Sequence, residues 1–494
     1  MFGNWILHSY YQTFLVDSLK TLHTKHDDKI LEFQKGISKL YLLNLDPLKE
    51  LITHLYSNTG RPSKQQDIIL RSFILMNECK VTSTTIWWKN YLIKNPVIKA
   101  AVGLKPNEHV PSIGAHYDFI SRIIPFNDSP RLKSVEKKPR EKLKKNEKLP
   151  IKNPGVVDTL VNYLINHPVN SISNHKFNLL QQIFASIVVS NSAKNGFLGD
   201  TSNLDISSDG TCAATGASTY GKKVCKCREN GIYDCKCDRK FSDPNASWGW
   251  DSYNARYFYG YTAFFACVYN PYIKTDLPIY LRLFDAKRHD STSSLVALSE
   301  ILKLYPHFHI NSYILDSASD NYSTYKLLNY LNINPIIALN KRNKTLKYDD
   351  GIYIDNTGTP VCKGNHKMIF WGNCKGRSRI KWRCPLVTKK IDKCKHCVSC
   401  SNSSYGRTFY TKPSDDIRLF TPIPRNSKEF KLKMNSRTAC ERVNNRILHN
   451  YNIEGSKLRG KARLSFFTFL AATNIHLDVW LKQFNFSILS LLNS

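Results

Sequence analysis

Negative charge is scarce in this chain. Only 39 Asp and Glu stand against 71 Lys and Arg in 494 residues, a formal excess of 32 positive charges, and a surface of that sign seeks a polyanion. Long apolar runs are missing too. No stretch of about 18 consecutive apolar residues occurs, because the most apolar segments, 177–189 and 464–477, are broken by Gln, Ser, Thr and Asn. That excludes a membrane span as the expectation and leaves nucleic acid as the natural partner. The opening residues, MFGNWILHSYYQTF, lack a basic stretch followed by a small-residue cleavage site, so the sequence predicts a cytoplasmic protein with no membrane partner. No internal repeat of solenoid length is present.

What is abundant, besides positive charge, is cysteine, 14 in all. In a reducing compartment clustered cysteines read as metal ligands rather than disulfides. Cys79, Cys267 and Cys440 are isolated in apolar or helical surroundings and read as buried thiols. Cys384, Cys394, Cys397 and Cys400 end in the two-residue gaps typical of zinc knuckles, and four thiolates suffice for a tetrahedral zinc ion. Cys225, Cys227, Cys235 and Cys237 form a second candidate zinc set, in which the one-residue gaps of each CKC pair strain a shared site. Cys362, Cys374, His366 and His396 are available to substitute in either set.

The chain divides by composition. Residues 1–130 read as a helical DNA-binding and assembly domain, with amphipathic runs such as QQDIILRSFILMNE separated by Pro and Gly. Residues 131–153 are Lys-rich and nearly devoid of large apolar side chains, a basic linker or arm. Residues 154–200 form a helical connector. From 201 to 340 strand signals appear at 203–208, 258–269 and 278–284, followed by a helix capped by Ser291 or Asp290, a strand in INSYILD, a helix and a strand in PIIALN. That order predicts an α/β domain with a mixed sheet. Residues 341–434 show little periodicity and read as a Cys-rich insertion without a core of its own, which zinc would stiffen so that Arg377, Arg379, Lys381, Trp382 and Arg383 follow a DNA backbone. Residues 435–494 return to helix.

Three acidic residues stand out. Asp209 follows the strand-like LDIS, with Gly210 read as the sharp turn at the strand end; Asp316 ends SYILD; Glu441 lies on the polar face of a helix beside Arg437, Asn444 and Asn445. Carboxylates at strand ends can share one edge of an open α/β sheet. Three such groups are enough to hold two Mg²⁺ or Mn²⁺ ions, which prefer carboxylate oxygens and retained water, and a two-ion site suits phosphodiester chemistry. A single Asp at a strand end is more often a turn or cap residue. Asp205, Asp290 and Asp320 compete for these places; Asp320 and Asp290 read as helix caps, and His289 stands beside the site.

Several blocks occur in a fixed order: SSDGTCAATGAS, WGWDSYNARYFYGYTAF, KRHDSTSSLVAL, ILDSASDNYSTYKLLNYLNINPIIALNKRN and SRTACERVNNRI, preceded by GRPSKQQDIILRSFILM and NPVIKAAVGLKPNEHVPSIGAHYDFI. In this the chain resembles bacterial insertion-sequence transposases of the DDE type. The resemblance implies a ribonuclease H-like mixed sheet with flanking helices, interrupted by the insertion and preceded by the helical domain. It implies that Asp209, Asp316 and Glu441 are the catalytic triad and magnesium ligands, and that the partners are transposon ends and target DNA. A homodimer or larger synaptic complex at the nucleoid follows as well. The relatives' Tyr, Arg, Glu, Lys signature is kept at Arg437 and Glu441 but replaced by Met434 and Leu448, so Arg437, Asn445, Arg446 and Lys457 become the candidate DNA contacts. The rival readings are a zinc-containing DNA-binding protein that has lost cleavage and another ribonuclease H-like nuclease.

Overall fold

The computed structural model describes residues 1–138, 154–167, 178–340, 347 and 351–492. The expected basic linker therefore lies mostly outside the described residues. Its first residues are not a free arm: Arg131–Lys133 pairs with Arg239–Phe241 in a small three-stranded sheet that Lys222–Lys223 completes.

The chain is mixed α/β, with a helical N-terminal region and a mixed central sheet. Six strands make that sheet: β1 (Leu204–Ala214), β2 (Ser247–Asp251), β3 (Arg256–Asn270), β4 (Thr275–Asp285), β5 (Ile310–Leu315) and β6 (Asn334–Ile337). The long strands β3 and β1 are antiparallel, as are β3 and β4. The short strand β2 pairs with the first residues of β3. On the other side of β1, strands β5 and β6 run parallel to it and to each other. Parallel neighbours need crossovers, which helices α3 (Asp290–Leu304) and α4 (Tyr322–Tyr330) supply after the N-terminal helices α1 (His8–Leu42) and α2 (Gln66–Glu78). The expected strands at 258–269 and 278–284 fall inside β3 and β4. The aromatic segment SWGWD, not anticipated as a strand, forms β2. Strand β1 runs well past 208: Asp209 and Gly210 pair with Phe265 and Phe264, so Asp209 lies within a strand and Gly210 makes no turn.

Two helices follow the insertion, α5 (Thr438–Asn445) and α6 (Lys461–Phe484), with a short helical turn at Leu489–Leu492 after them. Helix α6 alone has the length and apolarity of a membrane span among the described residues, but 89% of its most apolar window is buried in the fold. It is a core helix that joins both halves. One apolar core runs from Tyr11 and Leu15 through Phe73, Tyr261 and Tyr313 to Phe466, Leu470 and Ile488. Polar anchors fix the registry of α6 within that core. Asn474 donates to the Ile74 carbonyl at 3.2 Å and to Asn77 at 2.9 Å. Buried Lys39 bridges Glu78 and Asp478, the latter at 2.9 Å. Burial pushes His476 down to about 4, so the neutral ring hydrogen-bonds the Pro278 carbonyl at 2.7 Å.

The insertion does have a core. Strands β7 (Ile369–Cys374), β8 (Arg379–Arg383) and β9 (Thr408–Thr411) form an antiparallel sheet, and Ile354, Cys362, Met368, Ile380, Trp382 and Phe420 pack beneath it. Widely spaced apolar residues supply this core, which is why the sequence hides it. The insertion is tied to the central sheet by a buried pair: the Arg418 guanidinium donates to both Asp320 oxygens at 2.7 and 2.6 Å, and Asp320 also accepts the Asn340 N–H at 2.8 Å. Asp320 is thus structural, as expected, but not as a cap; Asn321 caps α4 by accepting the Thr324 N–H at 3.0 Å. Because removing one partner strands a buried charge, Asp320→Ala is expected to cost roughly 3–5 kcal/mol, seen as a lower urea midpoint, whereas the same change at exposed Asp27 leaves the midpoint in place.

Candidate active site

The three carboxylates singled out in the sequence reach one place. Asp209, Asp316 and Glu441 line a single open cavity of about 790 Å³, together with Asp290, His289 and Arg437. The sheet sets the first two. Ser207 lies opposite Ile314 in the parallel β1–β5 pair, so two residues further along both chains Asp209 and Asp316 come side by side. Asp316 has left the strand by then, and its carboxylate accepts the Ala318 N–H at 3.1 Å, closing the turn Ser317–Ser319.

Glu441 arrives from a helix laid across the sheet. Alternation along β1 turns Asp205, Ser207 and Asp209 to one face. Buried Cys440 lies on that face, its sulfur 3.3 Å from the Ser207 hydroxyl and 3.0 Å from the Ser207 carbonyl. The small thiol lets α5 approach closely, and the residue after it, Glu441, lines the same cavity as Asp209. Asp276 on β4 locks the helix, accepting from Arg442 at 2.6 and 2.7 Å. Lys433, just before the helix, pairs with Asp205 at 2.5 Å, which occupies that competitor.

The carboxylates of the cavity crowd together, although Lys287 and Arg288 also stand in its wall. Burial first, then the neighbouring Asp290 and Asp316 carboxylates, push Asp209 up to about 7 against the opposing pull of Arg437. Burial and Asp316 likewise push Asp290 up to about 6, with His289 opposing. Arg437 is the counter-ion within the group, 3.7 Å from Asp209 and 2.5 Å from Glu441. Oxygen donors that repel one another, with one guanidinium among them, form a donor set suited to hard divalent cations.

Asp290 is the residue the sequence reading misplaced. Neither it nor Ser291 caps α3; the His289 imidazole does, accepting from the Ser291 N–H at 3.3 Å. That leaves the Asp290 carboxylate free to face the cavity. Gly210 makes the room: a β-carbon there would stand 2.5 Å from an Asp290 oxygen and 3.0 Å from the Thr262 methyl. In the sequence Asp290 stands as a competitor for the catalytic places, within the KRHDS block of the resemblance. The aromatic rim of Trp250 and Tyr253 also escaped notice; Tyr253 is 94% exposed.

The candidate DNA contacts divide. Arg437 lies in the cavity, and Asn445 and Lys457 are exposed nearby on α5 and beyond it. Arg446 turns inward, donating to the Asp276 carbonyl at 2.6 Å. Asn444, read as part of the polar face, is buried. Leu448, at the signature's lysine position, is buried, and Met434 packs against Ile314, Ile336, Ile423 and Phe430.

A second candidate centre lies apart from the cavity. The ligand atoms of Cys225, Cys227, Cys235 and Cys237 all fall within 4.8 Å of one another, a set that could hold a metal such as zinc. The strain expected from one-residue gaps is relieved because the two CKC pairs face each other across a turn, with Cys225 and Cys235 at 3.5 Å and Cys227 and Cys237 at 3.5 Å. The Cys227 N–H and the Cys235 thiol hold Cys225 down to about 7, while the surrounding sulfurs push Cys227 up to about 12. Of the other set, Cys384, Cys394 and Cys400 are described, and the Cys397 side chain lies outside the described residues.

No family model matches the chain, and no curated protein matches it either.

Two expectations follow from the cavity. Asp209 and Asp290 bind protons more tightly in the folded protein than when unfolded, so without divalent ions stability falls as the pH rises from about 4 to about 7. Asp290→Asn should therefore raise the thermal midpoint of the metal-free protein at about pH 8 and leave it unchanged below about pH 3, where Asp290 is protonated in both states. Gly210→Ala should displace the Asp290 carboxylate and weaken Mn²⁺ binding about 10- to 100-fold, the range for a disturbed ligand shell, measured by calorimetric titration.

Proposed function

We propose that the chain is a DNA transposase of the DDE type, a metal-dependent endonuclease and strand transferase acting on the ends of a mobile DNA segment. One observation carries this reading: Asp209 on β1 and Asp316, just past the end of the adjacent parallel strand β5, share a cavity with Glu441, which arrives on a helix from the far end of the chain. The strand order supports it further. Three antiparallel strands followed by two parallel ones, in the order β4-β3-β1-β5-β6, make a mixed sheet, and a mixed sheet is what the resemblance implies. The formal charge of +32 suits a DNA backbone.

Asp209, Asp316 and Glu441 would hold a pair of Mg²⁺ or Mn²⁺ ions, with Asp290 close enough to share in the negative field. Such ions, when bound, activate the attacking oxygen and stabilise both the transition state and the leaving oxygen of phosphodiester cleavage. The remaining work belongs to the chain. Strand register fixes the spacing of the two aspartates, and α5 fixes the glutamate, so the carboxylates need little rearrangement to bind metal. Arg437, held among the acids, can turn to a phosphate oxygen once cations neutralise them. Trp250 and Tyr253 offer flat faces at the rim, and a base can stack on them. The reaction is hydrolysis at a transposon end, then attack of the freed 3′ hydroxyl on target DNA. Two ends must be held together, which calls for a homodimer or larger synaptic complex on DNA at the bacterial nucleoid.

The test is nicking of duplex DNA that carries the inverted repeats flanking the gene, followed by joining of a labelled 3′ end to a second duplex. Wild-type protein is expected to do both with Mg²⁺ or Mn²⁺, and Asp209→Asn, Asp316→Asn and Glu441→Gln to do neither while still binding the DNA. Binding without cleavage by the wild type would point to a zinc-containing DNA-binding protein, and cleavage without joining to a nuclease.

A further inference from the structure

The cysteines of the insertion find partners in space that differ from their neighbours in sequence. Cys362, Cys384, Cys394 and Cys400 line one small cavity of about 40 Å³. Cys362 enters it from a tight turn 22 residues before Cys384. In that turn the Asn365 N–H donates to the Cys362 carbonyl at 2.8 Å, and the Cys362 N–H to the His366 carbonyl at 3.0 Å. Two glycines leave room beside them. A β-carbon on Gly364 would stand 2.9 Å from Cys394 Sγ, and one on Gly406, at φ +75°, would stand 2.6 Å from a Val387 methyl and 3.2 Å from Cys384 Cβ. All four cysteines are free thiols.

Four thiols around a space of this size are a poor way to complete an apolar core, since each is a weak hydrogen-bond donor with little bulk. They are a good way to surround one ion. Tetrahedral zinc accepts four thiolates at about 2.3 Å and leaves no open position, and Arg407 in the cavity wall lies near the excess negative charge that four thiolates would bring. We infer that Cys362, Cys384, Cys394 and Cys400 bind one structural zinc ion, separate from any ion at Cys225, Cys227, Cys235 and Cys237. Cys362 closes the ligand set.

The geometry also says what the ion holds together. Cys362 belongs to the insertion's apolar core with Met368 and Trp382. Cys400 and Gly406 flank the loop that carries Tyr405, whose ring lies 3.5 Å from the Arg383 guanidinium, with the Trp371 ring 4.3 Å from the same group. Zinc at this point fastens the loop to the core and keeps that aromatic and cationic edge in one shape. The inference is independent of the transposase reading, since it concerns metal content and not DNA chemistry.

The experiment is elemental analysis of the full chain purified without chelators, with Co²⁺ exchanged for zinc as a spectroscopic probe. Cys362→Ser is expected to lose one zinc ion relative to wild type, whatever the Cys225 cluster holds, and Cys374→Ser to lose none. Cys362→His, which keeps a ligand in place, should retain the metal but shift the visible cobalt bands from those of four sulfurs toward three sulfurs and one nitrogen. Unchanged zinc in Cys362→Ser, loss of an ion in Cys374→Ser, or an unchanged cobalt spectrum in Cys362→His would each overturn the assignment.

Discussion

Carboxylates in a half-buried cavity repel one another, and nothing in their own chemistry brings Asp209, Asp290, Asp316 and Glu441 together. The opposing force is supplied elsewhere in the fold. Backbone pairing of β1 with β3 and β5 sets two of the acids, the Cys440 contact with Ser207 and the Arg442 pairing with Asp276 press α5 onto the sheet, and Gly210 gives up a side chain to admit a fourth. The proton affinities of Asp209 and Asp290, raised to about 7 and about 6, measure how far this arrangement runs against ionisation. Apolar packing of the shared core, from the N-terminal helices through α6, supplies the stability that such a site draws on.

Much of this was legible in the sequence because the informative signals were local. The apolar SYILD run marks a strand with Asp316 at its end, and the polar face of the Arg437–Asn445 segment turns Glu441 away from the helix's apolar stripe. Asp209 was found for a partly mistaken reason. A Gly following an Asp reads as a turn, whereas β1 continues and the glycine's missing β-carbon serves a residue 80 positions away. Asp290 reads as a cap because Asp290 and Ser291 are both ordinary capping residues before a helix, and only the packed structure shows that His289 takes the cap.

Cysteine spacing misled in a more general way. Gaps along the chain report on one loop at a time, while a metal site is assembled by whatever turns meet in space. The CKC pairs look strained until the intervening turn folds them face to face. The insertion's apolar residues are equally scattered in sequence, yet Met368, Trp382 and Phe420 meet under a three-stranded sheet. Periodicity detects long helices and strands; it has little to say about short strands whose partners lie tens of residues away.

The Asp320–Arg418 pair has a mechanical consequence. Asp316 opens the short turn Ser317–Ser319, and Asp320 ends it with its carboxylate clasped by an arginine of the insertion. Three residues, Ser317 to Ser319, separate Asp316 from that clasp, with no glycine to act as a hinge. A displacement of the insertion at Arg418 therefore reaches the Asp316 carboxylate through one short hydrogen-bonded turn, so the packing of the insertion and the shape of the cavity are coupled.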